Sequence, residues 1–286
     1  MKKILEVKNL NKKYPSFELK NVSFVIEEKS IVGFIGTNGS GKSTTIKAIL
    51  GLIKSSYESI LFDGEAITKN PVDVKNQLGV VLDDGYFYET LKMKEMKHIV
   101  AKAYRNWDED EYKKLMTKFG LDENQKISTL SKGMKMKFSI AIALAHHARL
   151  IIMDEPTSGL DPLVRNEFDG IIRDIVEEEG CSVLFSTHIT SDLEKVADYI
   201  TFIHNGKLIM NVSKNDLVYN YAVMRCKESQ FLTLDPKDIL AYRKRDFQID
   251  VLVSNGKEAQ KKYKGVVVDH VSVDEIMLLL VKGERV

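Results

Sequence analysis

The nine residues Gly36-Thr37-Asn38-Gly39-Ser40-Gly41-Lys42-Ser43-Thr44 restrict what this chain can fold into more than any other stretch. Their spacing, G-x-x-x-x-G-K-[ST], is that of a phosphate-binding loop. The run before them, Ile31-Val32-Gly33-Phe34-Ile35, is apolar and partly β-branched, as a strand buried on both faces should be. The run after them, Thr45-Ile46-Lys47-Ala48-Ile49-Leu50, reads as a helix closed by Gly51. A glycine-rich turn that precedes Lys-Ser by chance needs neither flank; strand, turn and helix together are the context the motif requires. Backbone N–H groups at the turn and helix N-terminus can then surround a polyphosphate, where the helix dipole also favours negative charge. Gly36, Gly39 and Gly41 permit the close backbone approach this takes. Lys42 supplies a cation for the terminal phosphates, and the Ser43 hydroxyl a ligand for Mg²⁺.

Two further apolar runs end in polar groups. Leu150-Ile151-Ile152-Met153 leads into Asp154-Glu155, and Ser182-Val183-Leu184-Phe185-Ser186 into Thr187-His188. Ligands of open α/β sheets sit at the carboxyl ends of the parallel strands, so these groups are expected to face the glycine loop. Asp154 can hold Mg²⁺ through water, Glu155 can polarise an attacking water as general base, and His188 can reach a γ-phosphate. A capping Asp-Glu before Pro156 would predict no second strand ending in a polar group. Leu130-Ser131-Lys132-Gly133-Met134 opens a long helix with Ser131 as N-cap, a second anion-binding arrangement, continued by the Ala-rich residues 140 to 148. Tyr14, between strand-like stretches at 4–9 and 22–26, either stacks on a nucleotide base or is an ordinary half-buried strand tyrosine. The residues alone leave both open.

The rest of the chain is organised around these motifs. Asp63-Gly64 marks a hairpin within 59–66, and residues 78–82 form another short buried strand. From Gly85 the text turns charged and helical, reading as a helical subdomain over about 85–148. Its opening cluster Tyr86-Phe87-Tyr88 is either a contact surface or packing. A hairpin around Asn205-Gly206 closes the first domain near residue 212. Strand-like stretches at 221–226, 247–253 and 265–271, then a Ser272-Val273-Asp274-Glu275 capping box before a final helix, make 213–286 a small α+β extension. Basic and acidic side chains nearly cancel, 42 against 41, which gives no support for a nucleic-acid partner. Cys181 and Cys226 have no ligand-like spacing and fit a reducing cytosol. No apolar run approaches the ~20 residues a membrane-spanning helix needs, and a charge comes too early for a signal peptide. A membrane role is therefore expected to come through a partner.

Taken in order, these motifs resemble the ATP-binding subunits of ABC transporters over roughly residues 3 to 212. Residues 36–44 are similar to the Walker A loop, Leu150 to Glu155 to Walker B with its glutamate, and 130–134 to the LSGGQ signature. Ser158-Gly159-Leu160-Asp161 is similar to the D-loop, His188 to the switch histidine, and Tyr14 stands at the A-loop position. The resemblance implies an α/β fold: a P-loop NTPase core with an antiparallel β subdomain, a helical subdomain and the extension. It implies ATP and Mg²⁺ as cofactors, and Tyr14 and Asp161 among the nucleotide-binding residues. It also implies a sandwich dimer in which Ser131 and Gly133 of one subunit cap the γ-phosphate held by Lys42 of the other.

An integral membrane permease subunit would be the other partner, at the cytoplasmic face of the cell membrane. Two signature positions depart from the pattern, as Lys132 and Met134. Asp83 stands where the family usually has a glutamine; its oxygen can reach Mg²⁺ or water but is shorter and charged. With Tyr86 to Leu91 and the extension, Asp83 looks most like bacterial ABC-2-type exporters of peptides, antibiotics or lipids. The expected function is ATP hydrolysis that powers export. The alternative is a weakly hydrolysing, ATP-gated dimer switch.

Overall fold

A computed structural model describes residues 2–82 and 87–285, which divide into two compact units, Met1–Met210 and Asn211–Val286. In the first unit β1 (Lys3–Lys13) and β2 (Glu18–Glu27) pair antiparallel, each longer than the alternation in the sequence suggests. β3 (Ile31–Ile35) runs into the glycine loop and α1 (Lys42–Ile49), followed by the hairpin of β4 (Ser59–Phe62) and β5 (Glu65–Ala66). Next come α2 (Pro71–Lys75) and β6 (Leu78–Val81), then the helices α3 (Met93–Ala101), α4 (Glu109–Lys118) and α5 (Lys132–Leu144). Then follow β7 (Leu150–Asp154), α6 (Pro162–Glu177), β8 (Ser182–Thr187), α7 (Thr190–Val196), β9 (Tyr199–His204) and β10 (Lys207–Ser213).

Two sheets share one core. The antiparallel sheet has the order β2-β1-β4-β5 and the larger one β10-β9-β3-β8-β7-β6. In the larger sheet β3, β6, β7, β8 and β9 are parallel neighbours, and every residue of β3, β7 and β8 is buried. Helical crossovers cover both faces of a parallel sheet, so its central strands are apolar throughout rather than alternating. One apolar cluster runs from Leu5, Leu10 and Ile26 through Phe34 and Ile46 to Leu184, and Phe24 and Phe34 stack at 5.6 Å between centroids. Arg149 ties the sheets together at the edge, donating to Asp63 at 2.6 Å and also to Glu28. With Lys2 it holds the Asp63 carboxyl down at about 2.

Register places the site. Ile35 lies beside Thr187, and Asp154 beside Ser186. The next residues along these adjacent strands are Gly36, Glu155 and His188, so three separate motifs emerge at one sheet edge. The α5 helix ends at Leu144, earlier than the Ala-rich run suggests, and His147 turns the chain at φ 57°. Phe87 packs on Phe138 at 5.0 Å, whereas Tyr88 is exposed, so one aromatic of that cluster packs and another faces solvent. Tyr86 lies outside the described residues.

In the second unit, α8 (Lys214–Asn220) precedes β11 (Ala222–Cys226), α9 (Glu228–Phe231), β12 (Ala241–Lys244) and β13 (Ile249–Val253). The chain ends with α10 (Gly256–Lys262), β14 (Val267–His270) and α11 (Val273–Lys282), whose N-cap Ser272 accepts from the Glu275 N–H. The sheet order β12-β13-β11-β14, antiparallel throughout, is that of a split β-α-β-β-α-β unit. β12 is the strand that the sequence pattern does not mark: Ala241-Tyr242-Arg243-Lys244 carries two cations and reads as a loop.

Candidate functional site

The glycine loop wraps the start of α1. Gly41 sits at φ 112°, a conformation that L side chains rarely adopt, and a Cβ there would press on Phe17. At Gly36 a Cβ would collide with the Ile203 carbonyl and the Ser40 hydroxyl. Gly206 N–H donates to the Ser40 carbonyl at 2.9 Å and pins the loop to the β9–β10 turn. The tip, Thr37 to Gly39, is exposed, while Lys42 is 5% exposed beneath it.

Lys42 Nζ donates to the Gly36 carbonyl at 2.7 Å and pairs with Glu155 Oε1 at 3.1 Å. The other oxygen of Glu155 accepts from His188 Nδ1 at 2.8 Å; a carboxylate can only accept, so that ring nitrogen carries the proton. Lysine, glutamate and histidine thus form one chain of contacts between the start of α1 and the ends of β7 and β8. Glu155 has φ 51°, a region a non-glycine residue occupies at a cost of about 1–3 kcal/mol. Its N–H is held by Ser186 Oγ at 2.9 Å. Ser186 also donates to Asp154 Oδ1 at 2.6 Å, and Ser43 Oγ donates to the same oxygen at 3.1 Å. Ser186 is a site residue that the sequence reading missed as such. A hydroxyl one residue before Thr187-His188 at a strand end was the available signal.

These residues fit a polyphosphate with a divalent cation. Ser40 Oγ is buried with no protein partner, and a Cβ on Gly39 would meet nothing within 4 Å, so the tip borders open space. Among the described residues no cluster of three or more His, Cys, Asp or Glu could hold a metal ion alone. Ser43 and Asp154 make a half-site. That suits Mg²⁺, which binds through one or two protein oxygens and completes its shell with water and phosphate.

The other expected residues lie elsewhere. Tyr14 follows β1 in the turn closed by its N–H to the Phe17 carbonyl, with Lys12 Nζ 5.0 Å from its ring. It is 38% exposed and lies just past the strand rather than in it, and its neighbour Phe17 borders Gly41. Ser131 caps α5, accepting from Met134 N–H at 3.2 Å, and a Cβ on Gly133 would meet Val164 of α6. Asp161 caps α6, accepting from Leu163 and Val164 N–H. Among the described residues no hydrogen bond or ion pair joins Ser131, Gly133 or Asp161 to Lys42 or Glu155. Asn38 and Thr44 lie in the loop and first turn. Asp83 lies outside the described residues. No helix among the described residues is long and apolar enough to cross a membrane.

The sequence model of the ABC transporter family matches residues 19–158. The bacitracin transport ATP-binding protein BcrA of Bacillus licheniformis is 33% identical over 215 residues, covering 74% of this chain and 70% of that protein. The lantibiotic transport ATP-binding protein SrtF of Streptococcus pyogenes is 33% identical over 210 residues, covering 72% and 90%. A solved ATP-binding subunit of an ABC transporter superposes with a TM-score of 0.67 at 32% identity, covering 75% of this chain and 91% of that one. These relatives do not favour the switch-only alternative. With that likeness and a glycine loop facing the Asp154-Glu155 and Thr187-His188 strand ends, the chain belongs to the ABC transporter family, as an ATP-binding, ATP-hydrolysing subunit.

Proposed function

We propose that this subunit powers export of a peptide, antibiotic or lipid through a separate integral membrane subunit, at the cytoplasmic membrane face. Residues 1–212 would be the ATP-binding domain and 213–286 an α+β extension. The observation that carries the reading is the Lys42–Glu155–His188 chain beside the Ser43–Asp154–Ser186 half-site. Two relatives named for bacitracin and lantibiotic transport support the peptide and antibiotic part of that cargo class.

Lys42 releases Glu155 to grip the outer phosphates of ATP, and Tyr14 stacks on the base. Ser43 and Asp154 would hold Mg²⁺, which would supply charge screening for the phosphates. Glu155, freed from Lys42, accepts a proton from the attacking water, and His188 orients that carboxylate and reaches the γ-phosphate. Two copies, or this chain and a second ATP-binding subunit, close on the nucleotide, with Ser131 and Gly133 of each covering the phosphate held by the other. Ser131 and Asp161 are exposed at the starts of α5 and α6, which supports their facing a partner.

Within the first unit, a cavity of about 820 Å³ lined by Leu50, Leu52, Ile53, Val74, Leu78 and Tyr104 offers apolar area to the membrane subunit. Size-exclusion chromatography of Glu155→Gln tests the pairing: a dimer with Mg²⁺ and ATP and a monomer without are expected. A monomer under both conditions would remove it. Co-purification from detergent-solubilised membranes tests the export reading, which fails if no integral membrane protein is recovered with this chain.

A further inference from the structure

Behind the site lies a buried contact that the catalytic reading does not use. Thr157 Oγ1 donates to Asp192 Oδ2 at 2.7 Å, and the two residues are 0% and 1% exposed. Thr157 stands two residues after Glu155, and Asp192 four after His188. We propose that Asp192, through Thr157, is a positioning residue for hydrolysis, bracing the loop that carries Glu155 against the turn that carries His188. The inference rests on the roles given above to Glu155 and His188.

The geometry is a two-rung ladder. One upright is the chain from β7 through Glu155 to Thr157; the other runs from β8 through His188 into α7. Glu155 and His188 form the outer rung, which opens to solvent, and Thr157 with Asp192 forms the sealed inner rung. Each upright is held at its strand end, Glu155 N–H by Ser186 Oγ and Ile189 N–H by Thr187 Oγ1 at 3.0 Å. Without the inner rung, only the strand ends and the outer rung itself would set the distance between the two side chains.

Asp192 is an unusual choice for a mere packing position. Among the described residues its second oxygen has no hydrogen-bond partner and meets only a loose ion pair with Arg165 Nε at 4.0 Å. Burial pushes the carboxyl up, while the Thr157 hydroxyl and Arg165 pull it back. A buried carboxylate is costly unless hydrogen-bonded, so an apolar residue would pack here at less expense. What the carboxylate adds is a directed bond to one hydroxyl. Lys195 of α7 reaches Asn166 at 2.9 Å and Asp169 at 3.1 Å on α6, so α6 and α7 stay together without the inner rung. Loss of the rung is therefore expected to move the site rather than unfold it.

The test compares Thr157→Ser, which keeps the hydroxyl, with Thr157→Val, which keeps the shape. The readouts are kcat, KM for ATP, equilibrium binding of a fluorescent ATP analogue, and melting temperature. Thr157→Val should lower kcat by about tenfold to a hundredfold with KM and analogue binding within about twofold, the pattern of lost positioning. Thr157→Ser should stay near wild type. Asp192→Ala should match Thr157→Val, the double variant should be no worse than Asp192→Ala, and Asp192→Asn, whose amide oxygen still accepts, should recover most of kcat. The proposal is overturned if Thr157→Val keeps wild-type kcat, or if Ser and Val variants lose it equally. It is also overturned if kcat falls only in step with binding and melting temperature. Glu155→Gln run alongside separates the two claims: turnover surviving there removes the catalytic reading itself, whatever Thr157 does.

Discussion

Asp154 in the first unit and Asp250 in the second are both buried carboxylates on sheet strands, at 6% and 0% exposure, and they are satisfied in opposite ways. Asp250 sits between Arg225, at 2.8 Å, and Arg245, and accepts from Gln248 at 2.7 Å; Arg225 also reaches Glu275 and Asp269. Its charge is neutralised from within the unit. Asp154 has two hydroxyls, Ser43 and Ser186, and no cation within ion-pair distance among the described residues. A buried charge without an internal counter-charge is expensive, and evolution tolerates it where something else brings the charge. On the proposed reading Mg²⁺ would bring the counter-charge at Asp154, whereas at Asp250 Arg225 and Arg245 supply it. On that reading the same residue type serves the site at one sheet and the fold at the other, and the partners decide which.

Substitutions can break that contrast. Lys42→Ala should give the largest effect, turnover at background with weakened ATP binding, read by a steady-state phosphate-release assay. Asp154→Asn should cost about 10²–10⁴ in kcat, as loss of a catalytic group does, and should flatten the dependence of rate on Mg²⁺ while leaving the melting temperature close to wild type. Asp250→Ala should do the reverse. Stranding two arginines should cost about 3–5 kcal/mol in the stability of the second unit, by denaturant unfolding, with the effect on ATP affinity small. Replacing Arg225, Arg245 and Asp250 together by apolar residues should restore much of that stability; if it does not, the cluster does more than hold the unit.

Smaller effects sharpen the picture. Tyr14→Ala should raise KM for ATP by about threefold to tenfold, in keeping with one aromatic–base stack. Asp63, held at about 2 by Arg149 and Lys2, has a folded value below the ordinary 3.8. Its contribution to stability is therefore complete above 3.8 and lost as pH falls from there towards 2. Arg149→Met should remove this contribution and move the acid-unfolding midpoint upward.

Much of the site could be read along the chain because its parts are local. A glycine loop between a strand and a helix, and polar residues closing two apolar runs, are patterns of neighbouring residues. The N-caps Ser131 and Ser272 were legible for the same reason. Ser186, Thr157 and Asp192 were not, since each matters through a bond to a strand, loop or helix about thirty residues away, fixed only when β7 and β8 lie in register. β12 was hidden because its side chains, Tyr242 and Arg243 among them, look solvated although the backbone pairs with β13. Tyr14 kept two readings from the residues alone, and its place in the turn to Phe17 could be found only once β1 and β2 pair.

The central claim, that hydrolysis runs through Glu155 released from Lys42, is tested most directly by one paired measurement on Glu155→Gln. Steady-state ATP turnover and equilibrium ATP binding should be recorded on the same preparation at saturating Mg²⁺. The account predicts binding at least as tight as wild type, because Lys42 no longer faces a competing carboxylate, together with turnover lower by about 10²–10⁴. Wild-type turnover in that variant, or binding lost along with turnover, would contradict it.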